Sequence, residues 1–275
     1  MRLLFITILL LITWTGCQNH STEDVNIMSE QLKLELQSLQ TMRVFFGHRS
    51  VGNNILKGLE EVLLHFPDIH LHIINLDYAS ELPEYYLAHY GLGENGNPIS
   101  KCDAFLAQIP KMIENHARIG MFKFCFVDFD EKTNVEKVFQ YYQQVIQAAR
   151  EKYPEITIVH VTVPLLAGSK EVKKKFKRFF GIADWSDASN IKRNQFNRLL
   201  LHTYQGEPIY DLAALESTYL DGKRAGFRKN GEFYYELIGE YTNDGGHLNA
   251  RGRKIAAVGL IKVLADLTYP FKIPK

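Results

Sequence analysis

Short apolar runs alternate with amphipathic helical segments along most of the chain, and this alternation restricts the possible folds more than any other feature. Five runs predict strands, within residues 44–46, 69–76, 121–129, 156–163 and 208–212, and amphipathic segments between them predict helices that include 103–118 and 134–152. The run 156–163 is apolar at nearly every position, as expected for a strand covered on both faces. The pattern predicts an α/β fold with about five parallel strands joined by right-handed crossovers.

The stretch 43–64 joins the first predicted strand to the first helix, and Ser50 lies at the junction. A serine here lies beside free backbone N–H groups at the positive end of a helix, where a negatively charged oxygen would be stabilised. Asn53 or Asn54 can cap this helix. Ser50 is therefore either a turn or capping residue or a nucleophile.

A second polar segment precedes the last predicted helix, at residues 243–247, and reads Asn-Asp-Gly-Gly-His. Asp244 and His247 supply a carboxylate and an imidazole three residues apart. A serine hydroxyl becomes a good nucleophile when a histidine accepts its proton, and a carboxylate fixes the tautomer of that histidine. Ser50, His247 and Asp244 are therefore the candidate catalytic residues.

Composition and motifs argue against several other classes of protein. The 275 residues carry a net charge of +1, so no overall field indicates a nucleic-acid partner. Residues 91–96 match G-x-G-x-x-G but lie within a predicted loop, not between a strand and a helix, and no H-E-x-x-H motif occurs. We therefore expect no cofactor and no metal. Cys102 and Cys125 could pair in an oxidising compartment, but the apolar surroundings of Cys125 favour a buried thiol.

The first 17 residues predict export. They contain one basic residue, an apolar run over 3–12 that is too short to span a bilayer, and a small-residue end at Cys17. This end resembles a bacterial lipoprotein signal, in which Cys17 would be lipidated and would hold the mature chain on a membrane. The predicted organisation is a signal peptide over 1–17, a tether over 18–40 and one domain over 41–275.

Two motifs resemble the SGNH/GDSL hydrolase superfamily, a group of lipase- and esterase-like enzymes. One is Phe-Gly-His-Arg-Ser over 46–50, after the first strand; the other is Asp-Gly-Gly-His-Leu-Asn over 244–249, with Gly252 following. The resemblance implies a flavodoxin-like three-layer α/β/α sandwich over roughly 43–267. It also implies that Ser50 is the nucleophile, that His247 is the general base and then acid, and that Asp244 orients His247.

The chain departs from this family at two places. The usual Gly-Asp-Ser block is replaced by a sequence in which His48 and Arg49 separate Gly47 from Ser50. The family's Gly-x-Asn-Asp block, whose asparagine donates to the oxyanion, is also missing, and Asp128 lies in its place. A carboxylate cannot donate a hydrogen bond. Three residues remain as candidate oxyanion-binding groups: Gly93, Asn95 and Asn53.

The sequence thus predicts an exported serine ester hydrolase that acts on acyl esters, acetyl esters among them, of a carbohydrate or envelope component. One alternative is a non-catalytic lipoprotein that binds a glycan or wall fragment in the same cleft. Another is metal-dependent phosphoester hydrolysis by carboxylates at strand ends: Asp128, Asp130, Asp211 and Asp244 with His247. The basic run over 170–178 is either a solvated helix face or a patch for an anionic surface.

Overall fold

The computed structural model describes residues 20–79, 81–168 and 187–268, with side chains described from residue 30 onward. Cys17, the predicted signal peptide and the basic run 170–178 lie outside the described residues. Within these ranges, every helix is too short or too polar to cross a lipid bilayer.

Six strands form the main sheet, and helices connect most of them. The strands are β1 (Arg43–His48), β2 (Ile73–Asn75), β3 (Tyr86–Gly91), β4 (Ile119–Phe122), β5 (Thr157–Val161) and β6 (Ile209–Tyr210). The helices are α1 (His20–Leu39), α2 (Val51–Leu63), α3 (Pro98–Glu114), α4 (Val135–Lys152), α5 (Asp187–Thr203), α6 (Leu212–Ser217) and α7 (Ala250–Asp266). A hairpin of β7 (Gly226–Lys229) and β8 (Glu232–Tyr235) completes the described elements.

The strand order is β2-β3-β1-β4-β5-β6, and every neighbouring pair is parallel. This order confirms the predicted α/β fold with a parallel sheet, with six strands where about five were expected. Because β1 lies between β3 and β4, the chain leaves β1 in one direction first and returns to its other side later. Such a reversal opens a crevice at the carboxyl ends of the strands. Ser50 follows β1 at this edge.

Helices cover both faces of the sheet, so the domain has three layers. On β1, Val44 and Phe46 pack in a core shared with α2 and α7, whereas Phe45 packs in a second core shared with α3, α4 and α5. Successive strand residues point to opposite faces. The two separate cores are therefore the direct result of an apolar strand whose consecutive side chains are all buried.

The predicted loop that contains residues 91–96 was expected to extend over 77–101 as one irregular segment, and this is wrong, because the segment contains β3 and the first turn of α3. The β3 sequence has no β-branched residue, and its strand conformation comes from pairing with β1 on one side and β2 on the other. Helix α3 begins at Pro98 and not at residue 103, since the Asn97 side chain accepts a hydrogen bond from the Ser100 N–H (3.1 Å). The strand predicted over 121–129 also ends early, at Phe122.

Part of the segment interpreted as a tether packs onto the domain. It forms α1, in which Leu36 and Leu39 are buried against α7. Elsewhere, the Asn230-Gly231 pair makes the turn between β7 and β8, with φ of 52° and 85°, as expected for an Asn-Gly dipeptide between two strands. Cys102 and Cys125 are both free and buried, so the structure does not pair them.

Candidate active site

Ser50 lies between β1 and α2, at the carboxyl edge of the sheet. It occupies the N-cap position of α2, yet its side chain makes no capping hydrogen bond, and the residue is partly exposed. Backbone carbonyls open the helix instead: Gly52 N–H donates to Arg49 O (2.7 Å) and Asn54 N–H to Ser50 O (3.3 Å). The structure therefore does not support the capping interpretation of Ser50, and its hydroxyl is not used to hold the helix.

Asp244 and His247 form a hydrogen-bonded pair on the loop before α7. The His247 Nδ1 to Asp244 Oδ2 distance is 2.8 Å. The other carboxylate oxygen accepts hydrogen bonds from the backbone N–H groups of Gly246 (2.9 Å) and His247 (2.8 Å) and from the Thr242 hydroxyl (3.2 Å). Because an ionised carboxylate only accepts, Nδ1 must carry the proton, which leaves the Nε2 lone pair of a neutral imidazole as a base.

The Asp244 carboxyl is held ionised. Its partial burial raises its pKa, but the hydrogen bonds from the His247 ring and from the N–H groups of Gly246 and His247 outweigh this effect. The resulting pKa lies below the usual value for aspartate. Asp244 can therefore orient His247 and stabilise its protonated form at neutral pH.

A hydrogen bond ties the Asp244–His247 loop to the helix that follows Ser50. The Asn54 side-chain oxygen accepts from the Leu248 backbone N–H at 3.0 Å. Asn54 lies one helical turn after Ser50, and Leu248 directly follows His247. The structure thus brings both ends of the predicted triad to the same end of the sheet. Asn54 has this role and not that of a cap, because α2 already begins at Val51.

Packing also limits where the His247 ring can lie. Its edge contacts the Phe126 ring, with centroids 5.4 Å apart and planes at 72°. Gly246 allows this approach, because a Cβ there would lie 2.9 Å from Leu166 and 3.0 Å from Phe126. The Ala167 N–H donates to Gly245 O at 2.9 Å and holds the loop from below. The imidazole is therefore fixed by packing as well as by Asp244.

The loop over 92–97, which we call the glycine loop, is hydrogen bonded to His48 and Arg49, the two residues before Ser50. Leu92 N–H donates to His48 O (3.1 Å), and the Arg49 guanidinium donates to Gly93 O through Nη2 (2.6 Å) and Nε (3.2 Å). Gly93 has a φ of 48°, and a Cβ there would lie 2.8 Å from the backbone nitrogen of Lys101. Gly93 and Asn95 thus belong to a loop fixed beside Ser50.

The far end of the glycine loop rests on a buried ion pair. The Lys101 ammonium lies 2.6 Å from Asp128 Oδ2, and both side chains are 0% exposed. Lys101 also donates to Asn95 Oδ1 (3.2 Å), while Asp128 Oδ1 accepts from the Gly96 N–H (2.8 Å). Asp128 therefore supports the loop from the position where the family has its asparagine block.

The third oxyanion candidate, Asn53, is on a different surface. Its side chain is exposed on α2, whereas the next residue, Asn54, contacts the His247 loop. The two residues point in different directions because they are about 100° apart around the helix. Of the three candidates, Gly93 and Asn95 are the ones that share a loop with contacts to Arg49.

His48 packs behind Ser50 in a neutral form. Its Nε2 lies 3.1 Å from His89 Nδ1, and burial, with a contribution from the nearby Lys123, lowers the pKa of His48 to about 3. Gly52 is required for this packing, since a Cβ there would lie 2.2 Å from the His48 ring. His48 therefore supports the first turn of α2 as an apolar-like ring.

The other aspartates at strand ends have local structural partners. Asp130 accepts from the Lys132 N–H (2.9 Å) and the Thr133 hydroxyl (2.8 Å), and Asp211 caps α6 through the Ala214 N–H (3.0 Å). In the part of the chain that the structure describes, no group of three or more His, Cys, Asp or Glu residues is arranged to hold a metal ion. The alternative of a metal-dependent hydrolase gains no support from these aspartates.

Sequence reasoning missed Asn54 as a link and Lys101 as a buried cation. A signal for Lys101 was present, because it continues the buried stripe of α3 formed by Phe105, Ile109 and Met112. A lysine on an apolar stripe predicts a buried partner. The signal was lost because the predicted helix began after Lys101.

Comparisons with known proteins were made by sequence and by structure. No family model and no curated protein matches the sequence. Among solved structures, a peptidoglycan O-acetylesterase gives a TM-score of 0.49 at 10% identity, covering 87% of this chain and 95% of its own. A member of the lipolytic G-D-S-L family from Veillonella parvula gives 0.41 at 9% identity, covering 81% and 97%. A lipopolysaccharide acetyltransferase periplasmic domain from Salmonella ser. Paratyphi A gives 0.45 at 9% identity, covering 91% and 98%.

These three matches are likenesses of fold at low sequence identity, and one of the three proteins is described as a member of the lipolytic G-D-S-L family. Because the identities are near 10% and the TM-scores are below 0.5, no functional argument rests on them. The activity has to be argued from the side chains at the crevice.

Proposed function

We propose that this protein is a serine ester hydrolase in which Ser50 is the nucleophile, His247 the general base and acid, and Asp244 the residue that orients His247. The observation that carries the proposal is the 2.8 Å Asp244–His247 hydrogen bond, on a loop that Asn54 ties to the helix of Ser50. Acyl transfer needs a serine, a histidine that can accept its proton and a carboxylate that orients the histidine, and Asp244 accepts four hydrogen bonds that fix it in the last of these roles.

The proposed reaction has two stages. His247 Nε2 takes the proton of the Ser50 hydroxyl while Ser50 Oγ attacks the ester carbonyl carbon, and the protonated His247 then gives that proton to the leaving alcohol. In the second stage His247 takes a proton from water, the resulting hydroxide attacks the acyl-serine, and the acid leaves as Ser50 recovers its proton. Asp244 remains ionised throughout and stabilises the imidazolium that forms.

The oxyanion formed in each stage needs hydrogen-bond donors. The first backbone N–H groups of α2 lie next to Ser50, and the glycine loop adds the Gly93 N–H and the Asn95 side chain as further donors. Asn53 is the weakest of the three candidates, because it lies about 100° around α2 from Asn54, the residue that contacts the His247 loop.

The proposed substrates are small acyl esters, acetyl esters among them, carried by a carbohydrate or another envelope component. Support for this class is indirect and comes from the N-terminal sequence, in which the apolar run over 3–12 and Cys17 predict an exported, lipid-anchored protein. An enzyme in that location meets glycan and wall polymers before it meets cytoplasmic metabolites.

Hydrolysis of a small aryl acetate tests the proposed nucleophile. We expect Ser50→Ala to lower kcat by at least about 10³-fold, because the covalent route is lost while binding is retained. The matched control is Ser38→Ala, which removes a hydroxyl from a partly exposed serine on α1 and should leave kcat unchanged. Turnover that persists in folded Ser50→Ala protein would contradict the nucleophile assignment.

A further inference from the structure

The Lys101–Asp128 ion pair is buried without any exposed atom, although most lysines keep their charged end in water. Its polar atoms make contacts in two directions. On the sheet side, Asp128 Oδ2 accepts from the Cys125 N–H at 2.6 Å. On the crevice side, Lys101 Nζ donates to Asn95 Oδ1 and Asp128 Oδ1 accepts from the Gly96 N–H. The pair therefore joins the end of β4 to the glycine loop.

Stability alone does not account for such a pair. Removing two charges from water is costly, and well-packed apolar side chains of similar volume often stabilise a protein as much or more. What an apolar pair could not do is accept from one loop N–H and donate to a neighbouring side-chain oxygen. The specific consequence of the pair is the fixed orientation of residues 95 and 96.

That orientation matters because an asparagine amide has two different ends. The Lys101 ammonium can only donate, so the atom facing it must be the Asn95 carbonyl oxygen. The N–H2 group of Asn95 then points away from the ion pair. On its other side the same loop is tied to Arg49, the residue before Ser50, through Gly93 O.

We propose that Lys101 and Asp128 are positioning residues that hold the Asn95 amide with its N–H2 group toward the oxyanion formed at Ser50. This inference rests on the proposed esterase function and deepens it. The family's oxyanion asparagine is replaced here by an asparagine from a different loop. The buried ion pair supplies the rigidity that the missing block would have given.

The test is a set of variants that removes the pair without leaving a lone buried charge. Lys101→Met combined with Asp128→Asn keeps the volumes and is expected to fold, as checked by circular dichroism and thermal unfolding. For a small aryl acetate we expect kcat to fall by about 10-fold or more, with KM within about twofold, because a transition-state donor is misplaced while substrate binding is retained. Asn95→Ala should lower kcat by about 10²–10³-fold.

Combining the variants distinguishes a positioning role from a merely structural one, because a merely structural pair would not change the effect of Asn95→Ala on kcat. If the pair acts through Asn95, adding Asn95→Ala to the double variant should cost less than it does in the wild type. The control is Arg150→Met with Glu207→Gln, which removes a partly buried pair between α4 and the segment before β6 and should leave kcat unchanged. Full additivity, or an unchanged kcat in folded Lys101→Met/Asp128→Asn protein, would overturn the inference.

Failure of this inference is distinguishable from failure of the proposed function. A wild-type protein that does not hydrolyse the ester, or whose turnover survives Ser50→Ala, refutes the function itself. A wild-type enzyme that depends on Ser50 but is indifferent to Asn95, Lys101 and Asp128 refutes only the positioning role.

Discussion

Carboxyl groups around the crevice differ in how fully they are hydrogen bonded. Asp128 accepts three hydrogen bonds and Asp244 four. Glu216 accepts one, from the Leu165 N–H at 2.7 Å, and its Oε1 has no hydrogen-bond partner among the residues that the structure describes. Burial raises the pKa of Glu216 from 4.5 to about 8, although the Leu165 N–H and the charge of Lys123 oppose the change. Glu216 therefore carries a proton at neutral pH, unlike Asp244.

The raised pKa of Glu216 predicts that this one residue makes the stability of the protein depend on pH. The unfolded chain releases the Glu216 proton near pH 4.5 and the folded protein near pH 8, so the wild type loses stability as pH rises through that window. Glu216→Gln keeps an acceptor for the Leu165 N–H but cannot ionise. We expect its free energy of unfolding, measured by urea denaturation, to increase relative to that of the wild type as pH rises from about 5 to about 8.

The control for this measurement is Glu240→Gln, which neutralises an exposed glutamate and should show no such trend. A difference between Glu216→Gln and the wild type that stays constant with pH would mean that Glu216 is ionised in the folded protein.

At the scale of single residues, the sequence predicts side chains that belong to a local motif and misses those whose role depends on distant contacts. Ser50, Asp244 and His247 could be singled out as candidates because each lies at a junction whose geometry follows from neighbouring residues. The role of Asn54 could not be predicted, because its partner Leu248 is far away in sequence, and Lys101 was missed because the predicted helix began after it.

The packing of α2 against α7 joins the two parts of the proposed triad at the level of elements. Gly58 makes this contact close, since a Cβ there would lie 2.2 Å from the Arg253 carbonyl oxygen. The Arg253 guanidinium also donates to Glu61 on α2 at 2.6 Å. Any change in the spacing of these helices moves Ser50 relative to the loop that carries His247.

Gly58→Ala tests this contact, because the change in stability that we expect is opposite in sign to the change that helix propensity alone predicts. In an open helix the change would stabilise the protein by up to about 1 kcal/mol. Here we expect it to destabilise by about 1–3 kcal/mol, because the methyl group meets backbone, and to lower kcat by about tenfold or more as the helices separate. Denaturant unfolding and aryl acetate turnover measure the two effects.

The matched control is Lys57→Ala on the exposed face of the same helix, expected to change stability by no more than about 0.5 kcal/mol. A stabilised or fully active Gly58→Ala enzyme would show that the α2–α7 distance is not critical.

Elements were predictable to the extent that their own sequence determines them. The amphipathic helix α4 and the apolar strand β5 lie within a few residues of their predicted bounds, because periodicity and apolar runs are local signals. Strand β3 was missed because its conformation depends on pairing with β1 and β2. The early start of α3 was missed because its N-cap residue, Asn97, lies within the segment 77–101 that was predicted to be irregular.

Across the whole molecule, the parallel sheet carries residues from both ends of the chain to one edge. The crossovers between parallel strands return the chain to the same side each time, so the segments after β1 and before α7 meet although they are almost 200 residues apart. Only the fold as a whole explains why Ser50 and the loop that carries His247 lie at the same edge of the sheet. We propose that this proximity activates the Ser50 hydroxyl as a nucleophile.

Labelling with a fluorophosphonate tests that claim most directly, since the reagent forms a stable bond only with a serine whose hydroxyl is activated by a base. Mass spectrometry of peptides from the treated protein identifies the modified residue. We predict a single adduct on Ser50, formed at least about 10³-fold more slowly in His247→Ala protein. A folded protein in which Ser50 stays unmodified, or in which another residue carries the adduct, would contradict the account and favour a binding protein with the same fold.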